Sequence, residues 1–141
     1  MNPINLKKYA IITAIVIVLL VVVIFVGVKI KNVISDKIKE QKQVDEANKG
    51  IDEDKLSTTT SQYNTIASKL YTAMKGIGTD EEAVYSAFSS LQTYSDLMQV
   101  MSNFGVKDGM VLREWIHYDL NQTEIDKVNN ILAAKSINYT F

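Results

Sequence analysis

Residues 10–28 form an unbroken apolar run in which Thr13 is the only polar side chain and no residue is charged. A helix rises ~1.5 Å per residue, so this run of 19 residues is ~28 Å long, close to the hydrocarbon thickness of a bilayer. The core helix of a small domain keeps one polar face, and this run has none. We therefore predict a transmembrane helix over residues 10–28.

The residues at the two ends of the run fit a membrane anchor. Ala10 and Val28 bound it, Tyr9 suits the lipid interface, and Lys29 can extend to the headgroups. A cleavable signal peptide is the alternative, but the run is too long and no A-x-A-like site follows it. More lysines follow the run than precede it, which favours the C-terminal domain on the inner side of the membrane.

Charge is distributed unevenly along the chain. Residues 1–56 hold 9 lysines and 7 acidic residues, a net charge of +2, whereas residues 57–141 hold 6 basic and 9 acidic residues, a net charge of −3. An acidic domain is a poor partner for phosphates, so no nucleic-acid partner is expected. The chain has no Cys, which excludes disulfides, thiolate metal sites and a cysteine nucleophile.

Composition divides the chain into four segments. We predict an N-terminal tail over residues 1–9, the transmembrane helix over 10–28, a stalk and linker over 29–60, and a helical domain over 61–141. The stalk carries one narrow apolar stripe, at Ile30, Val33, Ile34 and Ile38. That spacing indicates a helix whose stripe is either solvated or paired with a second copy.

Five amphipathic stretches with short connections predict a compact all-α domain. Helix starts are predicted at Ser61 or a neighbouring threonine, at Thr79, at Thr93 and at Asn121, from capping residues that precede apolar periodicity. Thr79 and Glu82 have the spacing of a reciprocal capping box. The segment at residues 106–109 is predicted to be a loop.

One part of this domain resembles a known family. The residues from Ala67 to Glu81, ASKLYTAMKGIGTDE, are similar to the opening of an annexin repeat, A-x-x-L-x-x-A-M-K-G-[LI]-G-T-D-E. Phe104-Gly105 and Asp119-Leu120 resemble later positions of the repeat. The resemblance covers residues 63–134 and implies the five-helix fold of a single annexin repeat.

The resemblance also implies a calcium site. In annexins a G-x-G turn binds calcium through backbone carbonyls, and a downstream carboxylate completes the site. Here the carbonyls would be those of Met74, Gly76 and Gly78, and the carboxylate would be that of Asp119. Calcium binds six to eight oxygens, which such a turn can help supply. The alternative is that the turn only ends one helix and begins the next, without a metal.

The motifs of common enzyme classes are missing from this sequence, which has no Walker loop, GxGxxG or HExxH. We therefore expect a non-enzymatic module that links a bilayer to a neighbouring protein layer, in a bacterial inner membrane or the internal membrane of a lipid-containing phage virion. Its expected partners are the membrane and a protein, or a second copy, at the stalk or domain. A calcium-dependent phospholipid binder that bridges bilayers is the alternative. A cell-wall hydrolase with carboxylates such as Glu82 and Glu114 is a remote third hypothesis.

Overall fold

The computed structural model describes residues 3–141, with side chains from Val16 onward except at positions 32, 36, 39, 40 and 43. About 74% of the chain is helical, which confirms the prediction of a mainly helical protein. The chain divides into two compact units, Met1–Ser35 and Asp36–Phe141. The second unit therefore includes residues 36–60, which the composition assigned to the stalk and linker.

Helix α1 spans Pro3–Gly50. Within it, Val16–Ser35 has a mean hydropathy of 2.6 and is long and apolar enough to cross a membrane. The side chains of Val16–Val26 are exposed along the helix, as expected for a segment that has no protein core to enter. The side chains of Tyr9 and Ala10, at the predicted start of the transmembrane helix, are not among those that the structure describes.

The second unit is built from five further helices. They are α2 (Thr60–Met74), α3 (Glu81–Ser89), α4 (Tyr94–Phe104), α5 (Leu112–Asp119) and α6 (Gln122–Ala134). A short 3-10 helix, Glu53–Lys55, lies between α1 and α2. Helix α2 packs on both α3 and α4, and α3 packs on α6.

The core of the second unit forms where the apolar stripes of these helices meet. Leu70 of α2, Phe88 of α3 and Leu97 of α4 have no measurable exposure. Burying side chains of this size contributes about 1.5–3 kcal/mol each. The predicted apolar stripes therefore face the core.

Several helix starts follow from local sequence. Thr59 caps α2 with Gln62, Thr93 caps α4 with Asp96, and Asn121 caps α6 with Glu124. In each pair the first side chain accepts the backbone N–H of the second residue, and the second side chain accepts that of the first. The predicted starts at Thr93 and Asn121 are confirmed.

The segment predicted as a loop at residues 106–109 forms the first strand and the turn of a β-hairpin instead. Strands β1 (Val106–Lys107) and β2 (Met110–Val111) pair antiparallel, with Val106 opposite Val111. Asp108 and Gly109 form the turn with φ of 48° and 80°. An Asp-Gly pair between apolar residues favours such a two-residue turn, so the loop prediction overlooked a local signal.

The end of α1 and the segment after it pack on α4. Ala47 is only 2% exposed, and a Cβ at Gly50 would lie 2.8 Å from Cγ of Met98. Beyond the helix, the backbone N–H of Asp52 donates to Oγ of Ser95 at 3.0 Å. These contacts hold the end of α1 within the second unit.

Candidate functional site

The turn between α2 and α3 is the region to which the calcium hypothesis refers. Gly76 and Gly78 have φ of 127° and 83°, in the left-handed region where a side chain would be strained. Ile77 lies between them and is fully exposed. The N–H of Asp80 donates to the carbonyl of Ala73 at 2.9 Å and closes the turn.

The structure assigns Thr79 a different contact from the predicted one. Asp80, not Thr79, caps α3, because its carboxylate accepts the N–H of Ala83 at 3.0 Å. The hydroxyl of Thr79 instead donates to Oδ2 of Asp119, at the end of α5, at 2.6 Å. The predicted capping box between Thr79 and Glu82 is therefore wrong, because a long-range contact engages the hydroxyl.

This contact brings together the two halves of the site that the family resemblance implied. The carboxylate of Asp119 lies beside the turn that contains Gly76 and Gly78, although α3, α4 and α5 intervene in the sequence. In the described part of the chain, no backbone N–H donates to the carbonyls of Met74, Gly76 or Gly78. Carbonyl and carboxylate oxygens are the ligands that calcium prefers, so the residue types at this turn are compatible with the calcium hypothesis, which stays a prediction.

Side chains alone do not form a metal site in the described residues. There, no group of three or more His, Cys, Asp or Glu side chains is close enough to hold a metal ion. A calcium ion at the turn would rely on carbonyl oxygens, on the single carboxylate of Asp119 and on oxygens supplied by water or lipid.

A second acidic residue lies near the turn, and the sequence reading did not include it. The hydroxyl of Tyr71 donates to Oδ2 of Asp108, in the β-hairpin, at 2.8 Å. The ammonium of Lys75 lies 5.0 Å from the centre of the Tyr71 ring. The hydrogen bond to Tyr71, reinforced by the charge of Asp108, raises the pKa of Lys75 above its usual value. No spacing rule relates a helix residue to a hairpin 37 residues later.

Trp115 of α5 contacts both that hairpin and helix α2. Its indole N–H donates to the carbonyl of Lys107 at 2.8 Å, and its ring meets that of Tyr71 edge-on at 5.6 Å. Trp115 is almost completely buried. The hydrogen bond and the ring contact of Trp115 therefore hold the hairpin close to Tyr71, which binds Asp108.

The carboxylates of the hydrolase hypothesis have local structural contacts. Glu82 on α3 pairs with Lys127 of α6 at 3.4 Å. Glu114 on α5 accepts the N–H of Val111 at 3.0 Å and so caps the start of its own helix. These contacts explain both residues without catalysis, and the absence of an enzymatic activity stays a prediction.

The predicted anchor residues can be described only in part. Val28 is exposed within the apolar segment, and the ammonium of Lys29 lies 5.8 Å from the centre of the Phe25 ring. Lysine stems often cover apolar surface in this way while the charge extends to the interface.

A groove of about 700 Å³ lies along α2 and α3. Most of its lining consists of small side chains with no charge, among them Ser61, Thr65, Ser68, Thr72, Ala83 and Ser86. Lys69 and Asp80 also line it. The lining is therefore mostly uncharged and rich in hydroxyl groups.

Comparison with known proteins found no protein-family model, no curated protein and no solved structure that matches the chain.

Proposed function

We propose that this protein is a membrane-anchored docking module without enzymatic activity. The observation that carries the proposal is the contrast between the two units. The apolar segment Val16–Ser35 is exposed along its length, while residues 36–141 have a core of their own. An exposed apolar helix of this length is stable in lipid and insoluble in water. The helix is the anchor, and the second unit is free to bind a partner.

The groove along α2 and α3 is the docking surface of this module. Its partner is a protein, because the lining offers small hydroxyl groups and little net charge. A phosphate-rich partner would require a cluster of Lys and Arg. The setting is a bacterial inner membrane or the internal membrane of a lipid-containing virion, with the second unit facing a protein layer on the inner side.

Site-specific photocrosslinking in intact membranes tests this proposal. A benzophenone amino acid at position 68 or 86, in the groove, should give one adduct of defined mass. The same probe at the exposed Asp126 of α6 should give none. Ser68→Arg should abolish the adduct formed from position 86, and Asp126→Arg should preserve it. Equal labelling from all three positions, or no adduct from the groove, would reject the proposal.

A second function is favoured by the contact between Thr79 and Asp119. We propose that residues 63–134 form an annexin-like repeat in which the glycine turn and Asp119 bind calcium. The order of helices α2–α6, the left-handed glycines and the adjacent carboxylate support this proposal. Phospholipid oxygens would complete the shell, and the protein would then bridge its own bilayer to another.

Calorimetry on residues 36–141, the compact unit, tests the calcium site. Calcium should release or absorb heat with the unchanged chain and with Asp126→Ala, and give no heat with Asp119→Ala. The full chain in proteoliposomes should cluster vesicles of acidic phospholipid only when calcium is present. Identical titrations for Asp119→Ala and the unchanged chain would eliminate the calcium site and leave the docking proposal standing.

A further inference from the structure

The C-terminal segment after α6 turns back sharply onto the domain. Ser136 has a φ of 59°, and the N–H of Ile137 donates to the carbonyl of Leu132 at 3.0 Å. This is the hydrogen-bond pattern of a Schellman helix ending. Ile137 is buried against the core. Residues 137–141, here called the strap, are therefore anchored at their first residue.

Arg113 of α5 holds the far end of the strap. Its guanidinium lies 5.0 Å from the centre of the Tyr139 ring and 5.8 Å from that of Phe141. It also donates to the hydroxyl of Tyr139 at 3.1 Å and to the carbonyl of Thr140 at 2.7 Å. One side chain thus makes four contacts with three consecutive residues.

Two further contacts place the last residue. The N–H of Phe141 donates to Oδ1 of Asn129 at 2.9 Å, and its ring meets that of Phe88 edge-on at 5.3 Å. Tyr139 and Phe141 remain partly exposed, unlike Ile137. The strap is therefore fixed at one end by the core and at the other by contacts that water can reach.

The strap lies next to the end of α1. Tyr139 and Arg113 line a groove of about 400 Å³ together with Lys42 and Glu46 of α1. Ala47, which directly follows Glu46, is buried, whereas Ile38, earlier in α1, is 63% exposed. Within the second unit, the buried part of α1 thus lies at its last turns, near the strap.

We propose that the strap stabilises the end of α1 in its packed position and can be released, and that the contacts of Arg113 hold the strap in place. When the contacts of Arg113 are lost, Tyr139 leaves the groove that it shares with Lys42 and Glu46. The last turns of α1 then lose a neighbour and open more often. A ligand that competes for the guanidinium would in this way loosen α1 from the domain.

Hydrogen exchange on the full chain in nanodiscs tests this proposal. Arg113→Gln should speed exchange at least tenfold both in residues 44–50 and in residues 137–141, and leave α3 and α4 unchanged. Lys127→Gln is the matched control, because the Lys127 ammonium contacts the Tyr85 ring at 3.7 Å and Glu82 at 3.4 Å rather than Tyr139 or Phe141. In that variant neither segment should change. Faster exchange in the strap with no change in residues 44–50 would overturn the proposal.

The milder variant Tyr139→Phe covers the case in which Arg113→Gln unfolds the whole domain. It loses only the hydroxyl that accepts from Arg113. Faster exchange in both segments, in parallel, is the expected result. If residues 44–50 exchange at the original rate while the strap exchanges faster, the strap does not stabilise the end of α1.

Discussion

The hydroxyl and the backbone N–H of Ser57 both donate to the carboxylate of Asp96, at 2.6 Å and 2.9 Å. The same carboxylate accepts from the hydroxyl of Tyr63 and from the N–H groups of Gln92 and Thr93. Asp96 is completely buried, and these donors fix the segment after α1 against α2 and α4. A fully satisfied buried carboxylate stabilises the fold only while it is charged.

The first prediction concerns the pH dependence that Asp96 gives the fold. Burial alone would raise the pKa of this carboxyl, but the hydrogen bonds from Ser57, Tyr63 and Gln92 outweigh it and lower the pKa from 3.8 to about 2. A lowered folded-state pKa stabilises the fold at pH values above the unfolded pKa. That contribution, roughly 2 kcal/mol, should be complete above about pH 5 and be lost as the pH falls towards 2.

Urea unfolding of residues 36–141 across this pH range measures the effect. Asp96→Asn should lower the free energy of unfolding by about 2–4 kcal/mol at pH 7. The amide NH2 of asparagine would face N–H donors and could not accept hydrogen bonds from them. It should also flatten the decline in stability between pH 5 and pH 2. Asp126→Asn, at an exposed carboxylate, should change neither quantity. An unaltered pH profile in Asp96→Asn would contradict the assignment.

The second prediction uses the left-handed backbone of Ser136. A serine there is strained, and glycine is not, so Ser136→Gly should raise the free energy of unfolding by about 0.5–1 kcal/mol. Ser68→Gly, on an exposed face of the regular helix α2, should lower it by about 0.5 kcal/mol. Chemical denaturation of residues 36–141 measures both changes in the free energy of unfolding. Destabilisation by Ser136→Gly would argue against a left-handed backbone at residue 136.

The third prediction compares two glycines of α1. A Cβ at Gly50 would lie 2.8 Å from Cγ of Met98 and 2.9 Å from Cε1 of Tyr94, whereas a Cβ at Gly27 has nothing within 4 Å. Overpacking should make Gly50→Ala lower the free energy of unfolding by about 1–3 kcal/mol. Gly27→Ala should leave the melting of the second unit unchanged. Calorimetric scans of the full chain in detergent distinguish the two outcomes.

The fourth prediction concerns orientation in the membrane. The chain has no Cys, so Asn130→Cys gives a single reporter thiol at an exposed site. A membrane-impermeant maleimide should fail to label it in intact spheroplasts and should label it after permeabilisation. A cysteine at position 2 should show the reverse pattern. Labelling of position 130 in intact spheroplasts would place the domain on the outer side.

Local features of this protein could be derived from sequence, since they depend on neighbouring residues. The length and uniform apolarity of residues 10–28 predict a membrane-length helix, and the overlapping segment Val16–Ser35 is long and apolar enough to cross a membrane. The capping pairs at Thr93 and Asn121 were predictable because both partners lie within one turn. The hairpin at Asp108-Gly109 was equally local, and a closer reading of its turn residues would have found it.

Long-range contacts were decided by tertiary structure. Thr79 has a hydroxyl suited to capping, and only the packing of α5 beside the turn directs it to Asp119 instead. Nothing in the spacing of Ser57 and Asp96 indicates that they meet, or that the carboxylate is buried.

The sequence by itself therefore determined which segments are helical and which segment is suited to lipid, because helix propensity, capping and hydrophobicity act over a few residues. The tertiary structure alone decided which side chains meet at the glycine turn, at Asp96 and around the strap. Those contacts join residues 26 to 40 positions apart, and their geometry depends on how whole helices pack.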